Sequence, residues 1–210
     1  MTKLLYATGN EGKAREVKKY LAGLDLELLT LKDLQIDAES SETGHTLEEN
    51  ALEKLAFYQK LAPGYFVMAD DTGLEIDALG RKPGIYVRRW KDGVTKLSDE
   101  EAVNYCLELM KDVPAEKRTA RFRTVIALGF PDGIKPKLFE SVLEGEILTE
   151  IDTTVPYTPG VPFNRIFYVP QWQMTLGNIH VVDPAILEKY QTHRARAVIK
   201  AVEYLKNLKS

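Results

Sequence analysis

The chain has 210 residues, a net charge of -3, an apolar share of 44% and a charged share of 28%, the profile of a globular domain able to bury a sizeable core. The slight acidity argues against a dedicated nucleic-acid binder, which would carry a basic surface. The only cysteine, Cys106, leaves no internal disulfide and fits a reducing compartment. It sits in an apolar helical stretch and reads as a core thiol rather than a nucleophile. No apolar run is long enough to span a bilayer. The first apolar stretch breaks at Thr8-Gly9-Asn10, too early for a signal peptide. A cytoplasmic location and no membrane partner are expected.

Leu4 to Ala7 reads as a buried strand. Thr8-Gly9-Asn10-Glu11-Gly12-Lys13 follows, then a helix from Lys13 to about Leu21 with Asn10 as its cap. A strand, a glycine-containing turn and a helix N-terminus can form an anion site, because unpaired N–H groups and the helix dipole both favour phosphate. A βα turn with no ligand fits the pattern equally well, since neither common phosphate-loop signature is matched. Leu26 to Leu31 is a second strand. Asp33 to Gly44 is an acidic loop.

Thr46 and Glu49 form a capping box that opens a helix to about Leu61. Its core stripe is expected to be Leu47, Ala51, Leu52, Leu55 and Ala56, with Glu49, Glu53, Asn50 and Lys54 as polar i,i+4 pairs beside it. Tyr65 to Ala69 is an apolar run that stops at Asp70 and Asp71, followed by Thr72 and Gly73. It reads as a buried strand with two acids at its C-terminal end, the end that faces the ligand crevice in open α/β sheets. Two adjacent carboxylates repel unless a cation or shared proton settles them. A strand-to-turn junction, with Asp70 as an Asx-turn residue and Gly73 in the turn, fits the stretch equally well.

Ala78 to Trp90 reads as an irregular loop bringing Arg88 and Arg89 close in sequence to the acids. Ser98 and Glu101 cap a helix to about Lys111. Arg121 to Leu128 and Lys137 to Leu143 suggest a hairpin about Pro131-Asp132-Gly133. Ile166 to Val169 is a short strand. The last helix, to about Leu208, faces Val198, Ala201, Val202 and Leu205 inward. Arg194 shares that stripe at the helix N-terminus, where the dipole disfavours a cation, so an anion is expected beside it. The pattern predicts an α/β fold: one domain over residues 1–210 with a mixed sheet and two lobes around a central cleft.

Four segments together resemble one family. Thr8 to Lys13 matches T-x-N-x-x-K, Glu42 to Ala51 matches E-T-G-x-T-x-x-E-N-A, Ala69 to Gly80 is similar to A-D-D-S-G-L-x-V-D-A-L-G, and Thr192-His193-Arg194 resembles S-H-R. This is the inosine triphosphate pyrophosphatase family, whose members hydrolyse non-standard purine nucleoside triphosphates to monophosphate and pyrophosphate. The resemblance implies a Mg²⁺-dependent homodimer. It makes Asp71 the general base and metal ligand, supported at the metal by Asp70 and Glu49. Thr8, Gly9, Asn10, Lys13, Thr72 and Arg89 would hold the phosphates, and Phe163, Asn164, His193 and Arg194 the nucleotide.

The C-terminal third departs from that pattern. Gly160 to Phe167 stands where the family has G-F-G-Y-D-P-I-F: Val161 loses a ring, and Asn164 replaces an acid that reads the purine edge. An Asn donates as well as accepts, so base preference is expected to shift, by about 1–3 kcal/mol for one mismatched buried partner. Glu188, with Lys189 beside it, falls where the family has a nucleotide-binding Lys. A nucleotide-binding module without catalysis, or a pyrophosphatase for another base, are the alternatives this segment raises.

Overall fold

Leu4, Leu5 and Tyr6 are three consecutive residues with no exposure, as in a strand covered on both faces, and they form β1 (Thr2–Tyr6). The Asn10 side chain then accepts the Lys13 backbone N–H at 3.1 Å and caps α1 (Glu11–Tyr20). The chain continues through β2 (Leu26–Thr30), α2 (Leu47–Leu61), β3 (Phe66–Ile76), β4 (Lys82–Gly84), α3 (Asp99–Leu109), β5 (Thr119–Gly129), β6 (Lys137–Ile147), β7 (Phe167–Val169), β8 (Met174–Thr175) and α4 (His193–Asn207). This computed structural model describes residues 2–21 and 25–208.

The chain divides into two units. The first comprises Met1–Thr72, Thr124–Ser141 and His193–Ser210. Within it the strand order is β2-β1-β3-β5-β6. β1 lies parallel to β2 on one side and to β3 on the other. Leu4, Tyr6, Met68, Ile126 and Leu128 of the strands, Val17 of α1, and Val198, Ala201, Val202 and Leu205 of α4 form one buried cluster. The inward stripe of α4 is the expected one.

The second unit comprises Gly73–Arg123 and Val142–Thr192. Here β4 is antiparallel to β3, and β7 is antiparallel to β6 and β8. Ser98 and Glu101 form the full capping box at the start of α3. The buried Arg118 closes the other end of that helix, donating to the carbonyls of Met110, Val113, Ile147 and Leu148 at 2.6–3.1 Å.

Three expectations need correction. β3 does not stop at the acids. Its parallel neighbour ends where Tyr6 faces Met68, but Leu74, Glu75 and Ile76 pair with β4, so the strand runs on and Asp70 and Asp71 lie in its middle. Thr72 and Gly73 are therefore extended rather than a turn. Second, Leu52 and Ala56 are exposed on α2, and Asn50 and Tyr58 take the inward places beside Leu47, Ala51 and Leu55. Third, the loop after β3 contains β4.

Candidate active site

Asp70 is the hub of the first unit. Its carboxylate is buried and accepts from Lys13 Nζ at 2.7 Å, Thr72 Oγ1 at 3.3 Å and Arg194 Nε at 3.5 Å. Arg194 also donates through Nη1 to Glu16. Lys13 and Glu16 stand three residues apart on one face of α1, so that helix offers a cation to Asp70 and an anion to Arg194. The anion expected beside Arg194 is thus present twice. Burial opposes ionisation of Asp70, but Lys13, Arg194 and Lys54 outweigh it and hold the carboxyl far below the usual range. Burial draws Lys13 below the ordinary lysine value against the pull of Asp70. Burial, with Arg194 and Lys13 nearby, pushes His193 well below the ordinary histidine value, so its ring is neutral at pH 7.

Asp71 faces other partners. It accepts from Asn50 Nδ2 at 3.1 Å and Lys54 Nζ at 3.1 Å, both from α2. Lys54 also donates to the Asp70 carbonyl at 3.1 Å and pairs with Glu42 at 2.7 Å. Burial raises the Asp71 pKa beyond what Lys54, Lys13 and the Asn50 hydrogen bond offset. Two adjacent carboxyls are therefore driven in opposite directions, the pattern that separates a permanent anion from a proton acceptor. Asp70 anchors cations, and Asp71 can take a proton.

The segment Glu42 to Ala51 is a scaffold for this arrangement. Glu42 clamps Lys54. The Thr43 N–H and hydroxyl both bind the Glu53 carboxylate, at 2.8 and 2.9 Å. A Cβ on Gly44 would meet Glu49 Cβ at 2.6 Å and Asn50 Oδ1 at 2.7 Å, so only glycine fits beside the helix start. Thr46 caps α2 through the Glu49 N–H at 3.1 Å. Glu49 reaches back to the His45 N–H at 2.6 Å, one residue beyond the expected capping-box partner. Its carboxylate is spent on this exposed cap, and the acid joined to the Asp71 group is Glu42.

The residues fit Mg²⁺ in one respect. Among the described residues no three His, Cys, Asp or Glu side chains form a metal cage. Mg²⁺ seldom uses such a cage, taking one or two carboxylates together with water and substrate phosphate. Asp71 and Glu42 are carboxylates of that kind, both paired with Lys54, whose ammonium a divalent cation would replace; Asn50 Oδ1 is buried and without a hydrogen-bond partner among the described residues. Asp70 meets Lys13, Thr72 and Arg194 through Oδ2.

The turn after β1 has the expected form. Thr8 Oγ1 accepts the Asn10 N–H at 3.2 Å. A Cβ on Gly9 would meet no atom within 4 Å, so the turn has open space around it. Lys13 points to Asp70. Arg89, Phe163 and Asn164 belong to the second unit. Phe163 is 2% exposed and packs on Trp90 with ring centroids 6.3 Å apart, so it is a core ring and not an open stacking face. Its 3-10 turn, Pro162–Arg165, is pressed against α3. Asn164 is buried, Arg88 is paired with Asp99, and Arg89 is half-buried. Glu188 and Lys189 are both exposed. Cys106 is buried, its thiol pushed up to about 12 by burial, and is no nucleophile.

Sequence reasoning singled out Asp70, Asp71, Thr72 and Arg194, which the structure brings together with Lys13. It missed Glu16, Glu42, Asn50 and Lys54 as members of the group. The available signal was the i,i+4 pair Asn50 and Lys54 on one face of α2.

Known proteins agree with this architecture. The dITP/XTP pyrophosphatase of Caldanaerobacter subterraneus is 35% identical over 98% of this chain and 96% of its own. That of Symbiobacterium thermophilum is 40% identical over 97% and 94%. The solved Ham1 protein of Staphylococcus aureus superposes with a TM-score of 0.74 at 31% identity, covering 98% of this chain and 99% of its own. The Ham1 family model matches residues 4–204, nearly the whole described chain, and the protein belongs to the Ham1 family.

Proposed function

We propose that the protein is a nucleoside triphosphate pyrophosphohydrolase that cleaves non-standard purine nucleotides, ITP, XTP and dITP, to the monophosphate and pyrophosphate, cleansing the nucleotide pool. The names of its full-length relatives support this reading. The structural observation that carries it is the buried charge cluster: Asp70 held by Lys13 and Arg194, beside Asp71 held by Lys54 and Asn50, with the capped N-terminus of α1 leading into Lys13.

The residues divide the work. Asp71 accepts the proton of the attacking water, with Lys54 and Asn50 fixing its two oxygens. Lys13 and the N-terminal turn of α1 bind phosphate oxygens. Asp70 keeps the ammonium of Lys13 and the guanidinium of Arg194 in place. Mg²⁺, held by Asp71 with Glu42 in place of the Lys54 ammonium, would neutralise phosphate charge and acidify a water. Asn164 is the base contact on the strength of the resemblance. A homodimer in the cytoplasm completes the proposal on the strength of the resemblance.

The test is a panel of nucleoside triphosphates with Mg²⁺, with pyrophosphate and orthophosphate measured separately. Pyrophosphate from dITP or XTP in preference to dGTP and dATP is expected. Orthophosphate alone, or no product from any nucleotide, would refute the reading.

A further inference from the structure

Asp99 is the first residue of α3, where an anion suits the helix dipole, yet its carboxylate is not spent on its own helix. Oδ1 pairs with Arg88 Nη1. Oδ2 accepts from Tyr157 Oη at 2.6 Å and from the Gly160 N–H at 2.8 Å. One carboxylate therefore ties together the segment before α3, the segment after β6, and the residue that leads into the turn Pro162–Arg165. Gly160 has φ +85, a left-handed conformation that suits glycine, so the chain bends where Asp99 grips it. Arg88 lies two residues before Trp90, whose ring packs on Phe163 of the turn at 6.3 Å and on Tyr105 of α3 at 5.6 Å. The turn is thus approached from both ends by groups that Asp99 organises.

We infer that Asp99 is a positioning residue for base selection: by fixing Gly160 and the Arg88–Trp90 strap it sets where Asn164 presents its amide. The inference rests on the proposed reading of Asn164 as a base contact. Asp99 touches no reacting atom, so its loss should alter discrimination between bases while sparing turnover. A residue that merely supported the fold would depress every substrate alike.

Two variants test this, with kcat and KM measured for dITP and dGTP in the presence of Mg²⁺. In Asp99→Asn the preference for dITP should fall about tenfold, the size of one lost charge-assisted hydrogen bond, with kcat for dITP within about twofold of wild type. Tyr157→Phe removes one hydroxyl from a largely exposed ring and should fold normally. It should lower the preference about threefold, again through KM. An unchanged preference in Tyr157→Phe, or an equal loss for both nucleotides in either variant, overturns the inference. Absence of pyrophosphate from the wild type overturns the underlying reading and the inference with it.

Discussion

Replacing Asp70 and Asp71 by Asn, one at a time, should give opposite results for neighbouring residues in one strand. Asp70→Asn strips Lys13 of its 2.7 Å partner and Arg194 of one of its two acids, leaving buried positive charge uncompensated. Removing one member of a buried ion pair costs about 3–5 kcal/mol. The lower end applies, because Arg194 keeps Glu16. Asp71→Asn removes a carboxyl whose ionised form burial disfavours, and Lys54 keeps Glu42. Its stability at pH 7 should lie within about 1 kcal/mol of wild type or above it, while turnover is abolished. Linkage sets the pH dependence. The Asp70 pKa is lowered on folding, so its stabilisation is complete above the unfolded value and is lost as pH falls below it. The Asp71 pKa is raised, so its contribution is present at low pH and is lost as pH rises through the folded value. Urea unfolding at pH 7 and at about pH 3 should show the gap between wild type and Asp70→Asn closing in acid. Equal destabilisation by both substitutions, or a gap that widens in acid, would refute the opposed-pair reading.

Further predictions concern the neighbours of this pair. Lys54→Met removes a cation that lowers the Asp71 pKa, so the acid limb of the pH profile of kcat/KM should move to higher pH; a limb that stays put would separate Lys54 from the base. Gly44→Ala drives a Cβ into Glu49 and Asn50 and should cost about 2 kcal/mol in urea unfolding, with reduced activity through Asn50. Arg118→Met takes the guanidinium from the carbonyls of Val113, Ile147 and Leu148, while that of Met110 keeps the Val113 N–H, and should cost about 3 kcal/mol; a loss below about 1 would show that water replaces the guanidinium.

Much of the local structure was legible because its causes are local. Asn10, Thr46 and Ser98 declare their helices through side chains that reach only three residues. Arg194 was legible as a misfit, a cation on an inward stripe, and the structure supplies the acids it needs. What failed was decided by distant partners. Two acids after an apolar run look like the end of a strand, and only β4, pairing with Leu74 to Ile76, carries β3 onward. On α2 the apolar pattern chose Leu52 and Ala56, whereas the need of Asp71 for donors turned Asn50 inward. Glu49 was named through the resemblance, and the capping motif gave its local role, whereas Glu42 meets Lys54 from twelve residues away. The role of Phe163 was obscured by Trp90, which arrives from far away in sequence to cover it.

The spacing of Lys13 and Glu16 along α1 makes that helix a ruler. One residue inserted between them would rotate everything beyond it by roughly 100° about the axis. Glu16 would swing away from Arg194 while Asn10 and Lys13 stayed in place, and a buried guanidinium would be left to Asp70 alone. The distance from cap to acid is therefore fixed by the needs of α4, at the far end of the chain. Sequence drift can alter the exposed residues of α1 freely, but its length between Asn10 and Glu16 cannot change without breaking a contact made 178 residues later, that of Glu16 with Arg194.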